Sequence, residues 1–321
     1  MGFPFFDHPL TLELLRQTER GLREFLDPSV AAVLEAGNYA FDAGGKRLRP
    51  LLLLLVARGL GASDGELRER ILPLAVGIEY IHTASLLHDD VVDEAETRRG
   101  RAAAHRVFGN GVAVLTGDYM YASALYLYSV YGSAEAIAVV SEAVKRMAEG
   151  QVLELKRVGE LIDEETYFAV VDGKTSALFA AAAAVGALAA GAAELKDLFW
   201  DFGLRLGRAF QLVDDALDYA GNPTEVGKPV GQDLREGKAT YPLLSVLDGL
   251  DPEEVKRALL TGEGADRLVN LVRKLGGVVK TKERARLELE AARRILEKSP
   301  LKGEERELLL SLVDFVVERT Y

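Results

Sequence analysis

Apolar residues recur along this 321-residue chain at roughly the 3.6-residue spacing of an α-helix, and this periodicity limits the folds open to it. No segment shows the sustained alternation of apolar and polar residues that marks a half-buried strand. There are only 10 prolines, and glycine-rich breaks such as 109–111 and 262–264 fall between the periodic segments. The sequence therefore predicts an all-α protein. We expect a mostly buried helix through 75–87 and further helices at 112–130, 139–158, 195–219, 251–260, 265–275, 279–296 and 303–317.

Composition excludes several classes of protein. The chain has no cysteine, so disulfides, zinc–thiolate sites and thiol nucleophiles are excluded. A formal net charge of −11 disfavours a nucleic-acid partner, and an anionic substrate would need locally clustered cations. The N-terminus lacks the pattern of a signal peptide, and the alanine-rich stretch 175–193 predicts a packed buried helix rather than a membrane span. We expect a cytoplasmic protein without stable membrane insertion, forming one domain over 1–321.

Two acidic triplets lie 125 residues apart inside apolar runs. Asp89, Asp90 and Asp93 form the first, and Asp214, Asp215 and Asp218 form the second. On a helix, the first and third members of each triplet share a face. Two such triplets would repel unless cations lie between them, and hard carboxylate oxygens favour Mg²⁺ or Mn²⁺, commonly together with phosphate oxygens. The alternatives are a solvated acidic face and, ranked well below, a paired-carboxylate hydrolase.

Basic residues cluster beside glycines or acidic residues. The segment 44–50 reads Gly-Gly-Lys-Arg-Leu-Arg-Pro and opens a helix, without the spacing of a P-loop. Arg98 and Arg99 follow the first triplet closely, and Lys174, Lys228 and Lys238 each follow a glycine. Arginine suits bidentate phosphate contacts. This pattern predicts two diphosphate sites, one bridged by metal and one held by lysine and arginine alone.

From about residue 44 to 242 the chain resembles the trans-type isoprenyl diphosphate synthases of the polyprenyl synthase family. The resemblance rests on eight motifs that follow one another in the family's order. They are 44–50, the first aspartate motif 88–94, Arg-Arg-Gly 98–100, Gly-Asp-Tyr 117–119, Glu-Gly-Gln 149–151, Lys-Thr 174–175, the second aspartate motif 210–218, and 227–240. It implies a single large helical bundle of the isoprenoid synthase type with a deep central cavity, and a homodimer. A terpene cyclase, an isoprenoid-diphosphate hydrolase and a non-catalytic partner subunit of a heteromeric synthase are the rival classes.

The resemblance also implies a reaction. An allylic diphosphate (dimethylallyl, geranyl, farnesyl or geranylgeranyl) ionises with the help of about three Mg²⁺ ions, with Mn²⁺ as an alternative. The double bond of isopentenyl diphosphate then attacks the allylic cation, and a proton is lost. Each cycle adds one five-carbon unit and yields an all-trans polyprenyl diphosphate.

Roles for individual residues follow from the resemblance. All six aspartates of the triplets are expected to be metal ligands, with Asp218 in an outer position. Arg98, Lys174, Lys228 and Lys238 are expected at the allylic diphosphate, and Lys46, Arg49, His82 and Arg99 at isopentenyl diphosphate. Thr175 and Gln211 are expected to stabilise the allylic cation with their oxygen dipoles. Asp233 is expected to act through the residues that contact the substrate, without contacting it itself.

Product length is predicted from the two residues one helical turn before Asp89. In the family, aromatic residues at these positions block the tunnel for the growing chain, whereas Ala84 and Ser85 are small here. The first triplet also lacks the two-residue insertion of bacterial short-chain enzymes. We therefore expect a product of C20 or longer, with C30–C40 favoured. A short-chain farnesyl or geranylgeranyl synthase is the alternative.

Overall fold

The computed structural model describes residues 4–220 and 230–318. The helices of the N-terminal part are α1 (Pro4–Asp7), α2 (Pro9–Glu24), α3 (Ala31–Asp42), α4 (Leu48–Gly59) and α5 (Asp64–Val92), followed by α6 (Ala104–Phe108) and α7 (Asn110–Tyr131). Next come α8 (Ala134–Arg157), α9 (Glu164–Ala189), α10 (Lys196–Ala220), α11 (Gln232–Arg235) and α12 (Tyr241–Leu244). The last are α13 (Pro252–Thr261), α14 (Ala265–Lys274), α15 (Gly277–Lys298) and α16 (Gly303–Glu318). Single 3₁₀ turns lie at Ala193–Leu195 and Leu247–Gly249.

The helix predictions are confirmed, because every segment chosen by its apolar periodicity is helical over most of its length. Asp251 caps α13 by accepting a hydrogen bond from the backbone N–H of Glu253, and Pro252 occupies the first turn, where its missing N–H costs nothing. The helices α5 and α9 each contain a π-helical turn, at Leu67–Ile71 and Asp172–Ser176. The second of these turns carries the Lys-Thr motif, which the sequence could not assign to an irregular helical turn.

One β-hairpin was not predicted. Strands β1 (Thr97–Arg98) and β2 (Arg101–Ala102) pair antiparallel, with Arg98 opposite Arg101. The two turn residues, Arg99 and Gly100, both have left-handed backbones, with φ of 51° and 76°. This combination is typical of a two-residue hairpin turn, which lets the strands twist together. The hairpin thus explains the Arg-Arg-Gly motif in structural terms.

The chain divides into two compact units. The first contains the residues up to Glu142, Ala181–Phe199 and Pro300–Leu309. The second contains Ala143–Ala180, Trp200–Ser299 and the residues from Leu310 on. The expectation of one domain over 1–321 stays a prediction.

The core of the first unit forms around α5. From Leu72 on most of this helix is buried, and its Gly77 lies so close to the ring of Tyr128 in α7 that an added Cβ would be 2.8 Å from the ring. The hydroxyl of Tyr128 donates to the carbonyl of Leu74 at 3.0 Å, and that of Tyr80 donates to the carbonyl of Leu22 at 2.9 Å. Each fully buried large side chain contributes roughly 1.5–3 kcal/mol. This packing fixes the helix that ends in the first aspartate triplet.

In the second unit, glycines bring helix backbones together. A Cβ added to Gly150 in α8 would lie 3.0 Å from the Cα of Gly173 in the π-turn of α9, and a Cβ added to Gly173 would lie 3.0 Å from the Cα of Gly150. A Cβ added to Gly207 in α10 would lie 2.6 Å from the Cα of Ser176. Larger residues would push these helices apart. The glycine of the Glu-Gly-Gln motif therefore serves the close packing that positions Lys174 and Thr175.

Two helices among the described residues are long and apolar enough to cross a membrane, namely α5 and α9. In both, 72% of the most apolar window is buried inside the protein. The alanine-rich stretch from Ala177 to Ala187 is almost wholly buried. Such burial is what a core helix requires, as the sequence predicted for 175–193.

Candidate active site

The first aspartate triplet lies at the C-terminal end of α5. Asp89 is half-buried and Asp93, which follows the last helical residue, is exposed. Asp90 is only 3% exposed, and both of its oxygens accept hydrogen bonds from Nε of Arg98 at 2.8 Å. The guanidinium Nη2 of Arg98 adds a third contact at 2.7 Å. The triplet therefore presents two accessible carboxylates, while the third holds an arginine.

A small cavity of about 30 Å³ in the first unit collects cationic side chains. Arg47, His82, Arg98 and Arg99 line it together with Glu79. The structure thus brings Arg98 together with two of the residues predicted for isopentenyl diphosphate, His82 and Arg99. Burial, and then the nearby arginines, lower the pKa of His82 well below its ordinary value. His82 is therefore neutral at physiological pH and can donate one hydrogen bond and accept another.

Arg47 anchors the loop that carries the Gly-Gly-Lys-Arg-Leu-Arg-Pro motif. Its side chain points inward, where Nε contacts Glu19 at 2.6 Å, Nη1 contacts Glu79 at 2.9 Å and Nη2 donates to the carbonyl of Phe41 at 3.0 Å. Arg47 has a left-handed backbone, with φ of 48°, immediately before the start of α4. A Cβ at Gly45 would lie 3.0 Å from the guanidinium nitrogens of both Arg47 and Arg99. The glycine therefore lets the loop approach this cluster of arginines.

Four other predicted residues of the first unit, Lys46, Arg49, Ala84 and Ser85, do not line this cavity. Lys46 is exposed and Arg49 is half-buried; neither lines the cavity. Ala84 is fully buried within α5, and Ser85 is half-buried, with its hydroxyl donating to the carbonyl of His82 at 2.7 Å.

The second triplet lies in the last turns of α10, and its three carboxylates have different surroundings. Asp214 is half-buried, whereas Asp215 is 3% exposed. Asp218 accepts hydrogen bonds from the backbone N–H groups of Gln232 at 3.0 Å and Asp233 at 3.2 Å. Asp218 therefore secures the short helix α11. The metal-ligand role of all six aspartates stays a prediction.

A hydrogen-bonded chain runs through Asp215. Its Oδ2 accepts from the hydroxyl of Tyr167 at 2.6 Å, and its Oδ1 accepts from Nε2 of Gln211 at 2.8 Å. Gln211 Oε1 in turn accepts from the hydroxyl of Thr175 at 2.9 Å. Burial raises the pKa of Asp215 to about 7, against the opposing effect of these hydrogen bonds. Thr175 and Gln211, predicted as partners of a cation, are thus held by one network.

Lysines enter the same region of the second unit. Lys174 Nζ contacts Glu154 at 2.5 Å, and Lys238 Nζ contacts Glu236 at 2.9 Å. Burial by itself would lower the pKa of Lys238, but the carboxylates of Glu154 and Glu236 outweigh it and raise that pKa above its ordinary value. Lys238 therefore stays charged. Lys228, the remaining predicted lysine, lies outside the described residues.

A cavity of about 160 Å³ in the second unit joins these groups. It is lined by Lys174, Thr175, Gln211, Asp215, Asp233 and Lys238, with apolar contributions from Val158, Ile162, Val170 and Val171. Fixed cations suit a diphosphate, and oxygen dipoles beside apolar walls suit a carbocation that must be kept from water. The lining of the cavity therefore suits both products of the ionisation of an allylic diphosphate.

Several residues at these sites escaped sequence reasoning. Tyr167, Glu154, Glu79 and Arg47 are each tied to a predicted residue or line the same cavity. For Arg47 the motif itself was a signal, but the sequence could not tell which of its cations points inward. Tyr167 lies 48 residues from its partner Asp215, and no spacing rule links the two positions.

Within residues 4–220 and 230–318, no three histidine or acidic side chains form a ready-made metal cage. This fits Mg²⁺, which commonly uses one or two carboxylates and takes its remaining ligands from water and substrate phosphates. Asp89, Asp93 and Asp214 supply hard carboxylate oxygens that solvent can reach. Carboxylates of this kind suit Mg²⁺ bound together with a diphosphate.

Comparison with known proteins identifies the family. The fold and the cavities define an all-α enzyme with diphosphate chemistry, and residues 30–273 match the family model described as polyprenyl synthetase. The chain is 39% identical to the octaprenyl diphosphate synthase of Escherichia coli, over 97% of each chain. This chain therefore belongs to the polyprenyl synthetase family and is a prenyltransferase.

Solved structures share its fold. A polyprenyl synthase from Caulobacter crescentus, crystallised with calcium and isoprenyl diphosphate, is similar with a TM-score of 0.88 and 37% identity, covering 97% of this chain and 96% of that one. A decaprenyl diphosphate synthase from Rhodobacter capsulatus has the same TM-score and identity, covering 96% and 97%. The predicted isoprenoid synthase fold and the predicted enzyme class are confirmed.

Proposed function

We propose that this prenyltransferase condenses isopentenyl diphosphate with an allylic diphosphate and makes an all-trans polyprenyl diphosphate in the C30–C40 range. The observation that carries the proposal is the cavity of the second unit, where Lys174 and Lys238 lie with the oxygen dipoles of Thr175 and Gln211. Cations there favour departure of the diphosphate, and the dipoles stabilise the allylic cation left behind.

Divalent metal completes this scheme. The proposed ligands are Asp89, Asp93 and Asp214, whose carboxylates solvent can reach. Bound Mg²⁺ would act as a Lewis acid that neutralises charge on the departing diphosphate. The similar polyprenyl synthase from Caulobacter crescentus was crystallised with calcium, another hard cation that prefers oxygen ligands. Mn²⁺ is the alternative metal.

Isopentenyl diphosphate is proposed to bind at the arginine-rich cavity of the first unit. Arg99 and neutral His82 supply donors there. Lys46 lies in the loop that Arg47 anchors, and Arg49 lies in the first turn of α4, which follows the loop. Arginine can hold a diphosphate without metal through paired hydrogen bonds. Arg98, fixed by Asp90, is proposed to contact a diphosphate oxygen from its edge of this cavity.

The product length rests on small residues and on relatives. Ala84 and Ser85 are small at the two positions where, by the family resemblance, a bulky side chain would stop the growing chain. Two similar proteins are named as octaprenyl and decaprenyl diphosphate synthases, which make products of eight and ten isoprene units. A C40 product is therefore within the range expected for this chain.

We place the enzyme in the cytoplasm as a homodimer. The helix α7 exposes apolar side chains at Leu115, Leu125, Tyr126 and Val130, and Tyr126 is 66% exposed. An apolar stripe of this kind on a helix that also packs against the core suits a subunit interface. Analytical ultracentrifugation tests the proposal: Tyr126→Lys should shift the protein towards a monomer, and a monomeric wild-type protein would contradict it.

The test of function uses the purified chain alone, with Mg²⁺, labelled isopentenyl diphosphate and a farnesyl diphosphate primer. Chromatography of the dephosphorylated products should give chains of C30–C40. Products that stop at C15 would refute the proposed length, and elongation that requires a second polypeptide would favour a heteromeric synthase. Asp214→Asn should abolish most of the elongation and serves as the matched inactive variant.

A further inference from the structure

A buried tyrosine that belongs to none of the recognised motifs begins a chain of hydrogen bonds along the cavity of the second unit. The chain runs from the hydroxyl of Tyr167 to Asp215, then to Gln211, and then to Thr175, with donor–acceptor distances of 2.6, 2.8 and 2.9 Å. All four residues line the same cavity. Tyr167 and Asp215 are buried, with 4% and 3% of their surface exposed.

The direction of each hydrogen bond in this chain is determined by Asp215. Both oxygens of Asp215 accept hydrogen bonds, Oδ2 from the hydroxyl of Tyr167 and Oδ1 from the amide nitrogen of Gln211. The amide oxygen of Gln211 is then turned towards Thr175 and accepts its hydroxyl proton. With that proton engaged, the hydroxyl oxygen of Thr175 offers only lone pairs to a group in the cavity. The network therefore sets the sign of the dipole that Thr175 presents.

Tyr167 supports this arrangement from behind. Its ring packs edge-on against Phe168, with centroids 5.2 Å apart, and at a tilt against Tyr241, with centroids 5.6 Å apart. Its hydroxyl occupies Oδ2 of Asp215, which leaves Oδ1 for Gln211. Without that hydroxyl the carboxylate loses one of its two side-chain partners and can turn about its terminal torsion, which is broad in energy.

We infer that Tyr167 is a positioning residue, which holds Asp215 so that this carboxylate orients Gln211 and Thr175 towards the allylic cation. Asp215 then acts through Gln211 rather than as a ligand of the metal. This inference rests on the proposed function, because it needs a cation to form in the cavity.

Steady-state kinetics of the full-length enzyme tests it with Tyr167→Phe, which removes one oxygen atom. We expect kcat to fall roughly 10- to 100-fold, because misplaced groups at the reacting centre act on the transition state. The KM of both diphosphates and the Mg²⁺ concentration for half-maximal rate should change by less than about twofold, because ground-state binding is preserved. The matched control is Tyr128→Phe, which removes a buried hydroxyl bonded to the carbonyl of Leu74 and should keep kcat.

Coupling between the positions gives a second readout. If Tyr167 acts through Gln211 and Thr175, Tyr167→Phe should cost less than about threefold in an enzyme that already carries Thr175→Val. Thr175→Ser keeps the hydroxyl and should restore most of the activity. Asp215→Asn should also lower kcat without raising the Mg²⁺ requirement, which tests the same network if Tyr167→Phe folds poorly.

The results separate this inference from the proposed function. A wild-type enzyme that does not elongate overturns the proposed function and, with it, the cation that the inference requires. An active wild type whose Tyr167→Phe variant keeps kcat overturns the inference alone. Additive losses in the double variant, or an Asp215→Asn variant whose only defect is a higher Mg²⁺ requirement, overturn it as well.

Discussion

Arg47 allows a direct test of how the Gly-Gly-Lys-Arg loop at residues 44–47 is anchored, because it contacts two carboxylates in different environments. Glu79 lies 2.9 Å from Nη1 and its side chain is 4% exposed, whereas Glu19 lies 2.6 Å from Nε and is 40% exposed. Glu79→Gln and Glu19→Gln each remove one carboxylate charge that pairs with the guanidinium of Arg47. We expect the first substitution to be much more harmful.

The magnitude follows from burial rather than from distance. At an effective dielectric constant of about 20, a charge pair 2.9 Å apart attracts with about 6 kcal/mol, but the desolvation of both ions offsets much of this. Breaking a buried pair typically costs roughly 3–5 kcal/mol, and glutamine retains an oxygen that can accept from Arg47, so we expect about 2–3 kcal/mol for Glu79→Gln. The exposed pair with Glu19 should contribute at most about 1 kcal/mol.

Thermal unfolding followed by circular dichroism measures the difference. At about 2–3 °C per kcal/mol for a large domain, Glu79→Gln should lower Tm by about 4–9 °C and Glu19→Gln by at most about 3 °C. Assayed well below Tm, Glu79→Gln should also raise the KM for isopentenyl diphosphate, because Lys46 and Arg49 flank the loosened anchor. Equal destabilisation by the two variants would refute the assignment of the anchoring role to buried charge.

Three further outcomes are expected. Ala84→Tyr should shorten the product, seen by chromatography; an unchanged distribution would mean that the chain grows elsewhere. The folded chain keeps His82 neutral, whereas the unfolded chain binds a proton below about pH 6.5, so the free energy of unfolding should fall as the pH drops below that value, by at most about 1.4 kcal/mol per pH unit. His82→Gln should flatten this dependence of the unfolding free energy on pH, measured by urea unfolding. An identical dependence in the variant would contradict the prediction. Asp93→Asn should raise the Mg²⁺ requirement roughly 10-fold, whereas Asp90→Asn should release Arg98 and raise a substrate KM instead; equal Mg²⁺ shifts would argue for Asp90 as a metal ligand.

Much of the site was predictable because its chemistry is carried by local sequence. The aspartate triplets lie at helix ends, as their spacing predicted, with Asp93 just past the last residue of α5. Thr175 of the Lys-Thr pair is hydrogen-bonded to Gln211. Carboxylates between apolar residues indicate charged groups that need partners, and this signal survives without any knowledge of the fold. The partners themselves were not predictable: Tyr167 and Asp215 are separated by 48 residues.

The unusual backbone conformations could not be predicted from the sequence for a different reason. Arg99 and Arg47 adopt left-handed conformations that non-glycine residues seldom take, so local propensity argued against both. In Arg47 the cost is met by the buried contacts of its guanidinium, which form only when α2, α3 and α5 come together. The π-turn of α9 likewise depends on the close approach of Gly150 and Gly173.

The amino-acid sequence by itself determines the helices, because periodicity and breakers act over a few residues, and it determines the inventory of aspartates and cations that diphosphate chemistry needs. Tertiary structure decides which of these groups is available to a ligand. Within one triplet Asp215 is enclosed by Tyr167 and Gln211 while Asp214 remains accessible, although the two are adjacent in the chain. Neighbours on a helix point about 100° apart, so one can face solvent and the other the interior. Burial and hydrogen-bond partners, which only the folded chain supplies, then give the same residue type different roles.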